Sequence, residues 1–345
     1  MTILLTGFTG NIGPEVARQL TPHRVLALVR DVARAPRADG VGIIAGGLEN
    51  LPMTIQPELD AIIHCAALVA FKAPLAELRR VNVEGTAGML AFARGCRRLR
   101  RFIHVSTTCV CGDQTGDIPE APLAEAPQFV NAYEQSKWEA EQLVLASGLP
   151  VEIARLAIVA GSEHDGSVRR PGALHHALSW LYKGLIPMMP GVADSRVDLI
   201  STEFVGGVIA ALVGAVAEPG RIVHVSAGNA APKLGELLDF LAAHFSEHHR
   251  GWASGAVVRP DIVDGETFAL FEQAVRQSGD LLFQRVCEDG RSFLPGFLYP
   301  RTMATSLARS VPLSDWRVLA SRVFAWLRET DWGRKLNTAS AHAPA

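Results

Sequence analysis

The stretch Leu5-Thr6-Gly7-Phe8-Thr9-Gly10-Asn11-Ile12-Gly13 follows the apolar run Ile3-Leu4-Leu5 and opens a segment, 11–20, with helical character. Three glycines at intervals of three, between a short strand and a helix, mark a turn whose backbone must pass close to something without Cβ atoms in the way. A helix N-terminus presents free N–H groups and the positive end of a dipole, so the turn predicts an anion site suited to a pyrophosphate. Gly7 permits the tight turn, Gly10 the close approach to phosphate, and Gly13 the packing of helix on strand. Thr9, Asn11 and Ile12 complete the segment that would face the phosphates.

Outward from this turn, β-rich runs at 3–5, 24–29, 42–45, 61–64, 101–106 and 151–156 alternate with helical stretches at 11–20, 74–95 and 131–147. Such alternation implies βαβ units, and the continuous apolar character of the strands implies burial on both faces. The expected fold is α/β, a doubly wound parallel sheet. After residue 160 the rhythm breaks: late strands are expected at 198–200 and 221–226 around a helix at about 202–216, and helical periodicity runs from 233 to about 336 with loops at 254–263 and 288–296. The expected organisation is a dinucleotide-binding domain of 1–160 and about 197–226, a smaller, mostly helical substrate lobe of about 161–196 and 227–336, and a frayed tail, 337–345.

Charged residues make up 20% of the 345 and the net charge is −2, which gives no electrostatic footprint for nucleic acid or an anionic membrane. No basic segment precedes the first apolar run, and the most apolar later run, 204–217, holds three glycines and falls short of the roughly 18 residues of a membrane span. Five cysteines without a CxxC pair indicate reduced thiols, with Cys109 and Cys111 as inert buried ones, and a cytoplasmic protein is expected. His244, His248 and His249 lack the further ligand pattern of a zinc site, so no metal is expected.

Tyr133-Glu134-Gln135-Ser136-Lys137 places a phenol and an ammonium one helical turn apart, between the fifth and sixth strands. An adjacent ammonium stabilises a phenolate and lowers its pKa, which makes the pair a candidate for proton transfer at a carbonyl or alcohol. Val105-Ser106-Thr107-Thr108 closes the fifth strand, where ligands of open α/β sheets bind. At the end of the second strand stands Arg30, where an enzyme for NAD would carry an acid; with Arg34 and Arg37 following, this favours the 2′-phosphate of NADP over NAD. Asp31 on the ribose is the alternative.

Together these residues resemble the extended short-chain dehydrogenase/reductase superfamily over about the first 225 residues, with a Rossmann-type sheet. The glycine turn is similar to its TGxxGxxG, and "DAIIHCAA" (60–67), with Cys65, Ala66 and Ala67, to the segment lining the coenzyme. "VNVEGT" (81–86) resembles the helix whose Asn82 helps position the site. By the register of "VSTTCVCG" the resemblance implies Thr107 as the catalytic hydroxyl, with Ser106 second, Tyr133 as acid and Lys137 holding the nicotinamide ribose. "YEQSKWEAEQLV" and "GLPVEIARLAIVAG" resemble the branch containing fatty acyl-CoA reductases and thioester reductase domains, which implies hydride reduction of an acyl thioester, CoA- or carrier-bound, by a homodimer. The same residues serve ketone or alcohol chemistry on a hydroxysteroid, flavonol-like or nucleotide-sugar substrate, and a coenzyme-binding sensor is the non-catalytic alternative. Arg169, Arg170 and Lys183 could meet coenzyme A or phosphopantetheine phosphates or form a solvated basic loop, and His175 and His176 stay open. Trp138 and the segment 180–189 are expected to be packing rather than an acyl tunnel.

Overall fold

The computed structural model describes residues 1–248, 257–291 and 293–333, with the side chains of Arg34 and His248 excepted. His249 and the expected tail, 337–345, lie outside the described residues.

Seven parallel strands form the central sheet: β1 (Thr2–Thr6), β2 (Arg24–Val29), β3 (Val41–Ala45), β4 (Ala61–His64), β5 (Arg101–Thr107), β6 (Val151–Leu156) and β7 (Ile222–Val225). Their order, β3-β2-β1-β4-β5-β6-β7, reverses direction between β1 and β4, which opens a crevice beyond the carboxyl ends of those strands. Each strand sends alternate side chains to opposite faces. Ile3 and Leu5 join α1 (Gly13–Gln19) and α6 (Thr202–Gly214) in one core, whereas Leu4 joins α3 (Gly85–Arg94) and α4 (Ala132–Leu145) in another.

The helix expected at 74–95 is not uniform. Between α2 (Leu75–Leu78) and α3 lies a π-helical turn, Arg79–Glu84, which carries Asn82. Such turns recur at functional sites because they rotate a side chain off the regular helical stripe. The strand expected at 198–200 is present as Leu199–Ser201, which pairs with Ile158–Gly161 in a separate sheet of two.

The C-terminal lobe comprises α5 (Ala173–Tyr182), α7 (Leu234–His248), α8 (Gly265–Ser278), α9 (Leu281–Arg291) and α10 (Trp316–Glu329) around an aromatic core in which the Phe245 and Phe324 rings stand 4.2 Å apart. The loops expected at 254–263 and 288–296 are partly ordered elements. Asp261–Val263 pairs with Met188–Pro190, and α9 extends through Arg291. Arg301–Met303 pairs with Gly116–Ile118 and so brings the lobe against the far side of β5.

Candidate active site

The glycine turn is built as tightly as its spacing implies. Gly7 has φ +77°, and a Cβ there would lie 2.7 Å from the carbonyl carbon of Cys65; at Gly13 a Cβ would lie 2.5 Å from Gly7 O. Gly7 therefore lets the turn pass against the 65–67 segment as well as bend. At Gly10 the nearest atom to an added Cβ is Gly7 O at 3.1 Å. No side chain caps α1, whose first turn contains Pro14. Thr9 and Ile12 are half-buried, and Asn11 exchanges two hydrogen bonds with the Arg170 backbone: Nδ2 donates to Arg170 O at 3.1 Å, and Arg170 N–H donates to Oδ1 at 2.7 Å. Half-buried Cys65, Ala66 and Ala67 stand opposite, with burial pushing the Cys65 thiol up to about 12. Exposed Arg30 ends β2; Asp31 accepts from Ala33 N–H at 3.1 Å, a local capping bond.

On the other side of the crevice, Asn131 caps α4 by accepting from Glu134 N–H at 3.0 Å, while Glu134 reaches back to Val130 N–H at 3.0 Å. This anchors the turn that bears Tyr133. The phenol is buried, edge-on to Phe71 with ring centroids 5.3 Å apart. The ammonium of Lys137 does not do to Tyr133 what the i,i+4 spacing implied. It donates to Val105 O at 2.9 Å and stands 3.3 Å from His104 Nε2, while burial, with Cys109 and Glu134 adding, raises the phenol above its ordinary value. Lys137 is 2% exposed and burial lowers its pKa to about 8, against the pull of Glu141 and Cys65.

Thr107 and Ser106 sit at the C-terminal end of β5. Thr107 Oγ1 accepts from Cys109 N–H at 3.2 Å; Ser106 Oγ is buried with no partner among the described residues. Asn82 clamps two elements: its Oδ1 accepts from Leu68 N–H at 2.8 Å, and Nδ2 donates to Leu68 O at 3.1 Å and Ser136 Oγ at 3.0 Å. A buried hydrogen-bond chain ties this clamp to the glycine turn. Thr86 donates to Asn82 O at 2.6 Å, so its oxygen accepts from His64 Nε2–H at 3.2 Å; His64 Nδ1 then accepts from the Thr6 hydroxyl at 2.8 Å, whose oxygen accepts from Ala66 N–H at 3.1 Å. Burial lowers His64 to about 3, so the ring carries the chain as a neutral imidazole.

Two cavities share Phe71, the edge-on neighbour of Tyr133, in their walls. One, of about 150 Å³, is lined by Cys109, Glu134, Arg196, Asp198 and Arg301; these charged groups escaped sequence reasoning because they come from four separate segments. Only "RVDLIS", containing Arg196 and Asp198, carried a local signal. Burial raises Glu134 to about 7 and Asp198 to about 6. The other cavity, of about 260 Å³, lies between the 69–72 segment and helices α5, α8 and α9, and is almost wholly apolar. Residues Trp180, Leu185, Ile186, Pro187 and Met188 line it, while Leu181 and Met189 belong to the core of the lobe. Trp138, by contrast, packs with Phe129 beside Val110 and Cys111. His175 is structural, its Nε2 donating to Ala160 O at 2.8 Å, and His176 stands at the rim of the apolar cavity. Arg169 lines a separate polar cavity beside α1, and the Lys183 ammonium stacks over Trp180 at 4.8 Å. Cys111 is buried, whereas Cys109 is only half-buried and lines the smaller cavity; burial raises both thiols. Among the described residues no group of three metal-binding side chains occurs, and no helix is long and apolar enough to cross a membrane.

The NAD-binding family described as male sterility protein matches residues 48–209, a span that includes Asn82, Thr107, Tyr133 and Lys137 but not the glycine turn. The glycine betaine reductase ATRR of Emericella nidulans is 26% identical over 268 residues, 65% of this chain and 21% of that protein. The 4-hydroxy-2-methyl-3-oxo-4-farnesyl-3,4-dihydroquinoline-1-oxide ketoreductase of Stigmatella aurantiaca is 33% identical over 165 residues, 44% of this chain and 47% of that one. The chain thus spans under half the length of these two relatives. Among solved structures, the terminal R domain from the myxalamid PKS-NRPS biosynthetic pathway superposes with a TM-score of 0.77 at 23% identity, covering 96% of this chain and 91% of that one, which speaks to the fold.

Proposed function

We propose, for a chain that belongs to the extended short-chain dehydrogenase/reductase superfamily on the side of the fatty acyl-CoA reductases and thioester reductase domains, a nicotinamide-dependent oxidoreductase that reduces an acyl thioester to an aldehyde or alcohol. The observation that carries this reading is a buried phenol, Tyr133, whose edge-on neighbour Phe71 lines both cavities.

The residues fit the coenzyme: Gly7 and Gly13 leave no room for side chains, and the uncapped start of α1 suits a pyrophosphate. Bound there, a reduced nicotinamide would supply the hydride. Tyr133 donates its proton to the oxyanion that forms at the thioester carbonyl, the Thr107 hydroxyl stabilises the same oxygen, and the resulting hemithioacetal collapses with its C–S bond broken and its hydroxyl proton passing to sulfur, releasing thiol and aldehyde. Lys137, fixed by Val105 O, holds the nicotinamide ribose. Asn82 ties the Leu68 backbone to the Ser136 hydroxyl on α4. Exposed Arg30, with Asp31 occupied locally, supports NADP over NAD. A homodimer through α3 and α4, which pack side by side, and a cytoplasmic location complete the proposal.

A second reading keeps the coenzyme and reduces a ketone, favoured by the likeness to a ketoreductase. The test is to follow NADPH absorbance with acyl-CoA, carrier-bound acyl and ketone substrates, with Tyr133→Phe as control. Thioester-dependent oxidation that vanishes in the variant supports the first reading; turnover of ketones alone selects the second.

A further inference from the structure

We propose that His104 is a positioning residue of the coenzyme site: its imidazole, with the proton on Nδ1, accepts from the Lys137 ammonium and, together with Val105 O, reserves the remaining N–H for the nicotinamide ribose. This rests on Lys137 holding that ribose.

Three observations carry it. First, the ammonium is almost wholly removed from water, and β5 supplies its contacts. Lys137 is 2% exposed and His104 0%; the ammonium donates to Val105 O at 2.9 Å and stands 3.3 Å from His104 Nε2, its two partners among the described residues. The nearest acid along α4, Glu141, is taken by Arg155 at 2.8 Å. Consecutive residues of one strand thus occupy two of the three N–H bonds and leave the third. Second, the contact fixes the tautomer. An ammonium has no lone pair, so Nε2 must accept and Nδ1 must carry the proton. That Nδ1 is buried with no partner among the described residues, so nothing on its own side of the ring selects this tautomer. A buried N–H without an acceptor is costly, and the charge-assisted bond at Nε2 offsets that cost. Third, a neighbouring imidazole shows what a purely structural histidine looks like in this sheet. His64 pairs in register with His104 across β4 and β5, their rings 5.6 Å apart, yet its two nitrogens are occupied by Thr6 and Thr86. Burial and the Lys137 charge hold both rings neutral, which keeps the His104 lone pair free for the ammonium.

The experiment uses the full chain in three variants: His104→Gln, whose amide oxygen can replace Nε2 as acceptor; His104→Phe, which fills the space without one; and Lys137→Met. Long-range nitrogen–proton NMR of the wild type without coenzyme, with His104 assigned by its loss in His104→Gln, is expected to show the Nδ1–H tautomer. An Nε2–H ring cannot accept from the ammonium and overturns the proposal, and because this is read on the wild type it decides even if His104→Phe does not fold. Fluorescence titration with NADPH is expected to give a Kd raised about tenfold in His104→Phe and within about threefold of the wild type in His104→Gln. In the Lys137→Met background His104→Phe should add nothing further. The groups facing the ammonium are Glu141 and Cys65, which favour its charge, and the neutral rings of His104 and His64; burial opposes the charge. An acceptor favours the charged form, so the pH above which NADPH binding weakens should move down in His104→Phe and stay in place in His104→Gln. Affinity and pH profile that Lys137→Met alters and His104→Phe does not, or a loss from His104→Phe that persists undiminished in Lys137→Met, overturn the positioning role alone. Binding unchanged in Lys137→Met removes the lysine from the ribose, and the proposal falls with it. Each readout is independent of which carbonyl the enzyme reduces, so failure of the thioester reading is seen separately.

Discussion

Arg155 Nη2 lies 2.8 Å from Glu141 Oε2 with both side chains fully buried, a bridge between β6 and α4 one helical turn beyond Lys137. Arg155 Nε donates to the same carboxylate and Nη1 to Ala121 O at 3.1 Å, so the guanidinium is almost fully satisfied. Removing one partner leaves a buried uncompensated charge, which costs about 3–5 kcal/mol. Arg155→Met is expected to lower the denaturant midpoint accordingly, and the double variant Glu141→Leu/Arg155→Met to recover much of it. An Arg155→Met protein that unfolds at the wild-type midpoint would show that the pair is not what holds α4 on the sheet.

The activity should fall on an alkaline limb near pH 8. Burial lowers Lys137 from an ordinary 10.5 to about 8, so above that pH the ammonium proposed to hold the ribose is neutral. Glu141→Gln removes a charge that supports the ammonium and should shift the limb to lower pH. A pH–rate profile of kcat/KM for coenzyme checks both, and a limb unmoved by the substitution would contradict the assignment.

Glu134 makes stability depend on pH in the opposite sense to a paired carboxylate. Burial raises it from an ordinary 4.5 to about 7, so between those values the folded protein binds the proton that the unfolded chain has released. Stability is therefore expected to decline as pH rises through that window, by at most about 3 kcal/mol. Urea unfolding at pH 5 and pH 7.5 should show this difference, and Glu134→Gln should flatten it.

At Gly13 an added Cβ would meet Gly7 O and Phe8 Cα at 2.5 Å, backbone atoms that cannot rotate away. Gly13→Ala should cost about 1–3 kcal/mol and weaken coenzyme binding. Gly214→Ala, where nothing lies within 4 Å, is the matched control and should be neutral or slightly stabilising. Equal melting temperatures for the two variants would refute the packing argument.

Arg30→Glu is expected to raise the Kd for NADPH about 10- to 100-fold and to leave NADH binding within a few fold, because it removes a bidentate partner for the 2′-phosphate alone. Fluorescence titration with each coenzyme decides it; equal loss for both would place Arg30 elsewhere than the 2′-position.

What could be read in the sequence was local. The Gly7, Gly10 and Gly13 spacing, the Tyr133–Lys137 interval and the sheet all follow from periodicities of two to four residues, and the structure reproduces them. What could not be read was set by contacts across the chain. Nothing near residue 137 announces that its ammonium is taken by Val105 and His104, more than thirty positions earlier. The π turn around Asn82 leaves helical periodicity nearly intact, so it was invisible. The residues 180–189 are apolar whether they fill a core or face a void, since composition records hydrophobicity and not what lies opposite.

The paired hydrogen bonds between Asn11 and the Arg170 backbone splice the first loop of the chain to the segment that leads into α5. Ala173 and Ala177, on the apolar cavity's wall, follow that splice within a few residues. A single asparagine thus joins the turn suited to a nucleotide to the segment that positions the cavity's α5 wall.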